Sequence, residues 1–145
     1  MPLIKELLAK KGSDVTTISP EATVMEAAAL MSQKRIGALC VVKDDAVVGV
    51  FTERDVLNRV VAARLDPATV KVADVMTSDV MTCGPEGKIA DCAAVMSHKR
   101  IRHLPVVDDD GKLVGLISTG DLMAMQVSQK QAHIEDLYDY LHGRA

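Results

Sequence analysis

The feature that most limits what this chain can become is that it is written twice. Residues 17–45 and 82–110 align at a constant offset of 65 (82 − 17), and 15 of their 29 positions are identical. Unrelated sequences of average composition agree at roughly one position in fifteen. Pro20 answers Pro85, and Lys34-Arg35-Ile36 answers Lys99-Arg100-Ile101. Gly111 adds one turn residue, so the offset beyond it is 66: Gly49 to Gly115, Thr52 to Ser118, Asp55 to Asp121. Each unit then has about 60 residues, too few for a sturdy core alone, and must bury its open sheet face against its twin about a pseudo-two-fold.

Within a unit the pattern reads β-α-β-β-α. Val15-Thr16-Thr17-Ile18 is a short strand closed by Ser19-Pro20. Thr23-Val24-Met25-Glu26 is a capping box, and the helix behind it buries Val24, Ala27, Ala28 and Met31, with Lys34-Arg35 at the end where positive charge suits the dipole. Two apolar runs, 38–42 and 46–51, flank Asp44-Asp45 as a hairpin. A second helix runs from Thr52 to about Val61, with Val56, Leu57 and Val60 facing inward. Leu3, Ile4, Leu7 and Leu8 form an N-terminal helix that stops at Gly12. Ile134, Leu137, Tyr138 and Leu141 form a last apolar stripe ending at Gly143, suited to closing the domain or packing across a dimer. The expected fold class is α/β of the α+β kind, with tandem repeats packed sheet to sheet. Its divisions are 1–66 (N-terminal helix and repeat 1), 67–130 (linker and repeat 2) and 131–145 (C-terminal helix).

The chemistry sits where each hairpin enters its second helix. In Gly49-Val50-Phe51-Thr52-Glu53-Arg54-Asp55 and Gly115-Leu116-Ile117-Ser118-Thr119-Gly120-Asp121, a hydroxyl at the N-cap precedes a carboxylate by three residues. One reading is a capping box and nothing more. The other uses the same turn for a ribonucleotide: free N–H groups and the hydroxyl attract a phosphate, and the carboxylate accepts from ribose hydroxyls. Two copies in matching places favour the second.

Other functions find little support. With a net charge of −3 and interleaved signs, the chain lacks the basic field that nucleic acid requires. Its aromatics are Phe51, Tyr138 and Tyr140, so an adenine held here lies against aliphatic walls. Cys40, Cys83 and Cys92 have no C-x-x-C spacing and read as small buried hydrophobes. His98, His103, His133 and His142 follow no metal-ligand pattern, and H-E-x-x-H, Walker A and G-x-S-x-G are absent, so neither a metal site nor an enzyme is expected. Asp108-Asp109-Asp110-Gly111 sits where a hairpin turn is needed and lacks the alternating ligands of a calcium loop. No apolar run approaches the ~18 residues of a membrane span, and the start shows no basic, then apolar, leader. Cytoplasm is the expected location.

The residues resemble paired cystathionine-β-synthase (CBS) domains, also called a Bateman module, of the stand-alone bacterial or archaeal signal-transduction kind. Ile36-Gly37-Ala38-Leu39-Cys40-Val41-Val42 and Ile101-Arg102-His103-Leu104-Pro105-Val106-Val107, each with its following G-h-h-[ST]-x-x-D run, carry the resemblance, and Asp74-Val75-Met76-Thr77 fits as well. The resemblance implies two clefts for adenosyl ligands: AMP, ADP, ATP or NAD(H), with S-adenosylmethionine ranked lower. It implies that Asp55 and Asp121 take ribose, that Thr52 and Ser118 take phosphate, that Ile18 and Cys83 line the adenine, and that backbone near Ala38 and His103 reads its edge. It also implies a flat homodimer, an effector protein of unknown identity, and no catalytic cofactor.

The halves differ where Gly37-Ala38 answers Arg102-His103 and Arg54 answers Gly120. Two basic side chains suggest a phosphate grip, against the alternative of a solvated arginine and a satisfied histidine. Unequal sites follow, with Arg54 reaching into the first, and NADH in one and AMP in the other as an expectation. The rival function is a ligand-free scaffold for protein interaction.

Overall fold

A computed structural model describes residues 2–141. Helix α1 (Ile4–Lys11) leads to strand β1 (Thr17–Ile18), helix α2 (Val24–Lys34) and the hairpin β2 (Ala38–Lys43) and β3 (Ala46–Thr52). A single turn, α3 (Glu53–Asp55), runs straight into a π-wound stretch, Val56–Val61, whose i→i+5 pattern shows in the Ala62 N–H donating to Leu57 O at 2.9 Å. After the short link helix α4 (Val72–Val75) come α5 (Ile89–Lys99), β4 (His103–Val107), β5 (Leu113–Ser118) and the long α6 (Thr119–Leu141).

The sheets follow the expected hairpins. β1 lies parallel to β2 (Thr17 opposite Cys40), and β2 is antiparallel to β3 (Leu39 opposite Phe51). β4 and β5 pair in the same way, with Leu104 opposite Ile117. In the second repeat the opening strand has shrunk to one parallel bridge, Cys83 to Val106. The sheets adjoin where the hairpin ends meet at the Ala46–Lys112 bridge.

Local chemistry explains the helix ends. Thr23 Oγ1 accepts the Glu26 N–H at 3.1 Å, the first half of the expected box. Both α2 and α5 end on an arginine in the left-handed region, Arg35 (φ 55) and Arg100 (φ 56). The next N–H then reaches back to close the turn, from Ile36 to Met31 O and from Ile101 to Met96 O, each at 3.0 Å.

Two cores result, and they exchange connecting helices. Val24, Ala27, Met31, Leu39, Val41, Phe51 and Val60 pack with Val72 and Val75 of α4, so the link helix is built into the first repeat. Ile4, Leu7 and Leu8 of α1 pack with Ile89, Met96, Leu104, Val106 and Ile117, so the N-terminal helix belongs physically to the second repeat. Grouping α1 with the first repeat therefore follows chain order and not packing. Gly49 is required beneath α4, since a Cβ there would meet the Met76 side chain and come within 3.0 Å of Thr77 O.

Leu57 corrects another expectation. It is 60% exposed, whereas Val60 is fully buried. A π-wound turn advances each residue by less than the 100° of an α-helix, which swings Leu57 off the inner face. At the far end, α6 is continuous across 130/131, and Ile134, Leu137, Tyr138 and Leu141 are exposed on the single chain. The stop expected at Gly143 lies outside the described residues.

Candidate functional site

Each hydroxyl–carboxylate pair is set by the strand that ends on it. At the end of β3 the Thr52 N–H donates to Asp55 Oδ2 at 2.9 Å, and the Asp55 N–H donates to Thr52 Oγ1 at 3.3 Å. At the end of β5 the same reciprocal bonds join Ser118 and Asp121, at 2.8 and 3.1 Å. Both capping boxes are therefore real. An ionised carboxylate has about four lone-pair directions, so a cap on Oδ2 leaves acceptor capacity on Oδ1.

The two carboxylates meet different cations, Arg59 at the uncapped Oδ1 of Asp55 and Lys11 at the same Oδ2 of Asp121 that accepts the cap. Arg59 Nε stands 3.6 Å from Asp55 Oδ1, and its guanidinium also donates to Val75 O and Met76 O at 3.3 and 2.9 Å. Asp55 is 7% exposed. In the second copy position 59 is answered by Met125, and the cation comes from elsewhere: Lys11 Nζ, at the end of α1, donates to Asp121 Oδ2 at 2.7 Å and to Leu116 O at 2.6 Å. Burial pushes the Asp121 carboxyl up, but the hydrogen bonds and charge of Lys11 and the Ser118 contacts outweigh it and hold the group below its ordinary value.

Around these turns, two grooves bring described residues of both repeats together. The first has a volume of about 460 Å³. Repeat 1 contributes Gly37 and the 52–55 turn, with Arg54; repeat 2 contributes Val80, Met81, Arg100, Arg102 and His103 as well as Ser118. The second groove is smaller, about 240 Å³, and is walled by Val15, Thr16, Gly37 and Ala38 from one side and His103, Leu116 and Ser118 from the other, with Lys11 between it and Asp121. Each groove thus takes strand-entry residues from one repeat and a helix start from the other. His103 lines both; burial lowers its pKa, partly opposed by Asp121 and Glu53, so it favours the neutral form.

Gly37 and Arg102 are equivalents with reciprocal neighbours. The Glu53 N–H donates to Gly37 O and the Thr119 N–H to Arg102 O, both at 3.0 Å. A Cβ on Gly37 would come within 3.2 Å of the Glu53 carboxylate, so the glycine makes room for a bulky partner where Thr119 leaves room for an arginine.

Of the expected site residues, Gly37, Thr52, Arg54, Asp55, Arg102, His103 and Ser118 line the first groove, and Ala38 lines the second. Asp121 is held by Lys11, which lines the second groove, but itself lines neither groove, and nor do Ile18 and Cys83. Ile18 and Cys83 lie against the two cores, because the groove walls come from the residues just before these strands, Val15-Thr16 and Val80-Met81. Lys11, Arg59 and Arg100 were not among the expected residues. Arg100 was legible as the answer to Arg35 at a left-handed helix end, whereas Lys11 and Arg59 depend on how α1 and α4 pack.

Among the described residues no group of His, Cys, Asp and Glu is placed to hold a metal, and no helix is long and apolar enough to cross a membrane.

The CBS domain family model matches residues 4–62 and 72–128. The CBS domain-containing protein YhcV of Bacillus subtilis (strain 168) is 37% identical over 120 residues, covering 83% of this chain and 84% of that protein. The crystal structure of the CBS domain NE2398 superposes with a TM-score of 0.82 at 37% identity, over 87% of this chain and 98% of its own. The CBS domain pair of protein MJ0100, solved with methylthioadenosine and S-adenosyl-L-methionine, gives a TM-score of 0.80 at 25% identity, over 89% and 98%.

Proposed function

We propose, from the premise that this chain belongs to the CBS-domain family, that it is a non-catalytic regulatory module whose two grooves bind adenosyl nucleotides. AMP, ADP and ATP are the first candidates, with NAD(H) next. The observation that carries the reading is the first groove. It brings a hydroxyl–carboxylate pair, Thr52 and Asp55, together with Arg54, Arg100 and Arg102 around about 460 Å³. That volume lies within the roughly 300–1,000 Å³ of small-molecule sites. Asp55 takes the ribose hydroxyls, Thr52 and the arginines take phosphate, and Val80 and Met81 supply the aliphatic wall for adenine. The adenosyl compounds bound by the MJ0100 pair support the same ligand class.

A ligand that spans strand entries of one repeat and a helix start of the other favours one relative arrangement of the two, by its difference in affinity between arrangements. The module then acts as an energy or redox sensor, reporting through a homodimer surface to an effector protein. Exposed Leu57, Val61 and Met123 support such a surface.

Calorimetric titration with AMP, ATP, NADH and S-adenosylmethionine tests the reading. Saturable binding of at least one is expected, weakened in an Asp55→Ala protein. A flat titration with all four contradicts it and leaves the ligand-free scaffold, which the intact capping boxes at Asp55 and Asp121 favour.

A further inference from the structure

The two grooves differ in what feeds into them from the preceding helix. α1 and α4 play the same part in opposite repeats: Leu3 bridges Lys88 as Lys71 bridges Thr23, and Leu8 sits under Gly115 as Met76 sits under Gly49. Those equivalences give an offset of 68 (71 − 3 and 76 − 8), while Asp14 and Asp79 are 65 apart. The N-terminal copy therefore holds three extra residues between Leu8 and Asp14, close to one helical turn. They lengthen α1 to 8 residues against 4 in α4, and the added turn ends on Lys11.

The extra turn changes what meets the strand edge. In the first groove the Thr77 N–H donates to Val50 O at 3.0 Å. At the matching position of the second groove, Leu116 O accepts from Lys11 Nζ at 2.6 Å, and the same ammonium contacts Asp121 Oδ2 at 2.7 Å. A strand-edge role needs only the first of these bonds. The second places a cation on the carboxylate assigned to ribose. An ammonium has three donors, and these contacts use two. Among the described residues lining this groove, Lys11 is also the one lysine or arginine.

We propose that Lys11 is the specificity-determining residue of the second groove, an internal cation that gives way on Asp121 to a ribose and pairs instead with the phosphate of the same ligand. This rests on the reading of the grooves as adenosyl sites. A phosphorylated ligand compensates the displaced ammonium, and a neutral nucleoside does not. The second groove therefore selects nucleotides over nucleosides through one lysine, while the first does so through its arginines.

The test is calorimetry of the full chain and of Lys11→Met with AMP and with adenosine, each also in an Asp55→Asn background that weakens the first groove. In the second groove AMP is expected to bind at least about tenfold more tightly than adenosine, as a charge-assisted contact implies. Lys11→Met should lose most of that preference, with AMP weakened and adenosine unchanged or tighter. Lys11→Gln keeps a donor for Leu116 O without the charge, and should behave like Lys11→Met. Binding that persists in all proteins with an unchanged AMP-to-adenosine ratio overturns the role of Lys11 and leaves the proposed function standing. Failure of both ligands to bind any of the proteins overturns the role of Lys11, and the proposed function falls with it only when ATP, NADH and S-adenosylmethionine fail as well.

Discussion

Replacing Asp55 separates its two jobs, because alanine removes both and asparagine removes mainly one. The carboxylate accepts the Thr52 N–H at 2.9 Å, is 7% exposed, and stands 3.6 Å from Arg59 Nε. Asp55→Ala leaves a half-buried N–H without its partner and opens the capping box, a loss of about 1–3 kcal/mol. With an unfolding entropy of ~2.1 cal/mol/K per residue, a chain of this length loses about 3–10 °C in Tm. In ligand binding, two hydrogen bonds from ribose hydroxyls to a charged acceptor are worth ~1.5–3 kcal/mol each before water compensates. The net loss is about 2–4 kcal/mol, on the order of 30-fold to 1,000-fold in Kd. Asp55→Asn keeps an acceptor for the Thr52 N–H but gives up the charge. Its Tm should stay within about 3 °C of the parent, while its affinity falls at least about tenfold. Thermal denaturation and calorimetry with AMP on the same three preparations read both quantities. If Asp55→Asn binds AMP as tightly as the parent, the carboxylate is a cap alone and the ribose assignment is wrong.

Four further outcomes follow from the structure. Asp121→Ala should weaken nucleotide by a similar 30-fold to 1,000-fold, on the order set by two charge-assisted bonds, and a 2′,3′-dideoxy ligand should suffer comparably in the parent; equal affinity for ribo- and dideoxynucleotides discredits the role. Because Asp121 is held below its ordinary value of 3.8, its pairing with Lys11 is stabilising above that pH and fades as pH falls through the lower folded value. The Tm gap between the parent and Lys11→Met should thus be larger at about pH 7 than at about pH 2.5, and a gap that widens in acid contradicts the pairing. Gly49→Ala presses a Cβ on Met76 and on the Thr77 backbone, whereas Gly115→Ala presses only on the Leu8 side chain. Urea denaturation should therefore show a loss of about 1–3 kcal/mol for Gly49→Ala and a smaller one for Gly115→Ala, and the reverse order would count against the packing. Burial pushes the Cys40 and Cys83 thiols up to about 12, so alkylation of the native protein near neutral pH should be slow and should accelerate on unfolding; rapid native labelling at either residue refutes that.

How much was legible in the sequence depended on whether a feature was local or came from packing between segments. The duplication, both hairpins and both capping boxes are written in short-range patterns, and the structure forms them where those patterns lie. Leu57 was misplaced because helical periodicity presumes α winding, and the switch to i→i+5 bonds after Asp55 has no signature in the 56–61 stretch itself. Ile18 and Cys83 were put at the groove because they lie on the opening strand, but it is the two residues before each strand that reach it. Lys11 escaped notice for a different reason. Its helix resembles its partner α4 poorly in sequence, and it is the matching bridges of Leu3 and Lys71 and the shared positions under Gly49 and Gly115 that reveal the added turn of α1.

The most direct measurement is a crystal structure of the protein soaked with AMP. The account predicts adenosyl density in at least the first groove, with the ribose hydroxyls within about 3 Å of Asp55 and the phosphate among Thr52 and the arginines. Grooves holding solvent alone at saturating AMP, with Asp55 and Asp121 doing no more than closing their own helices, would contradict it.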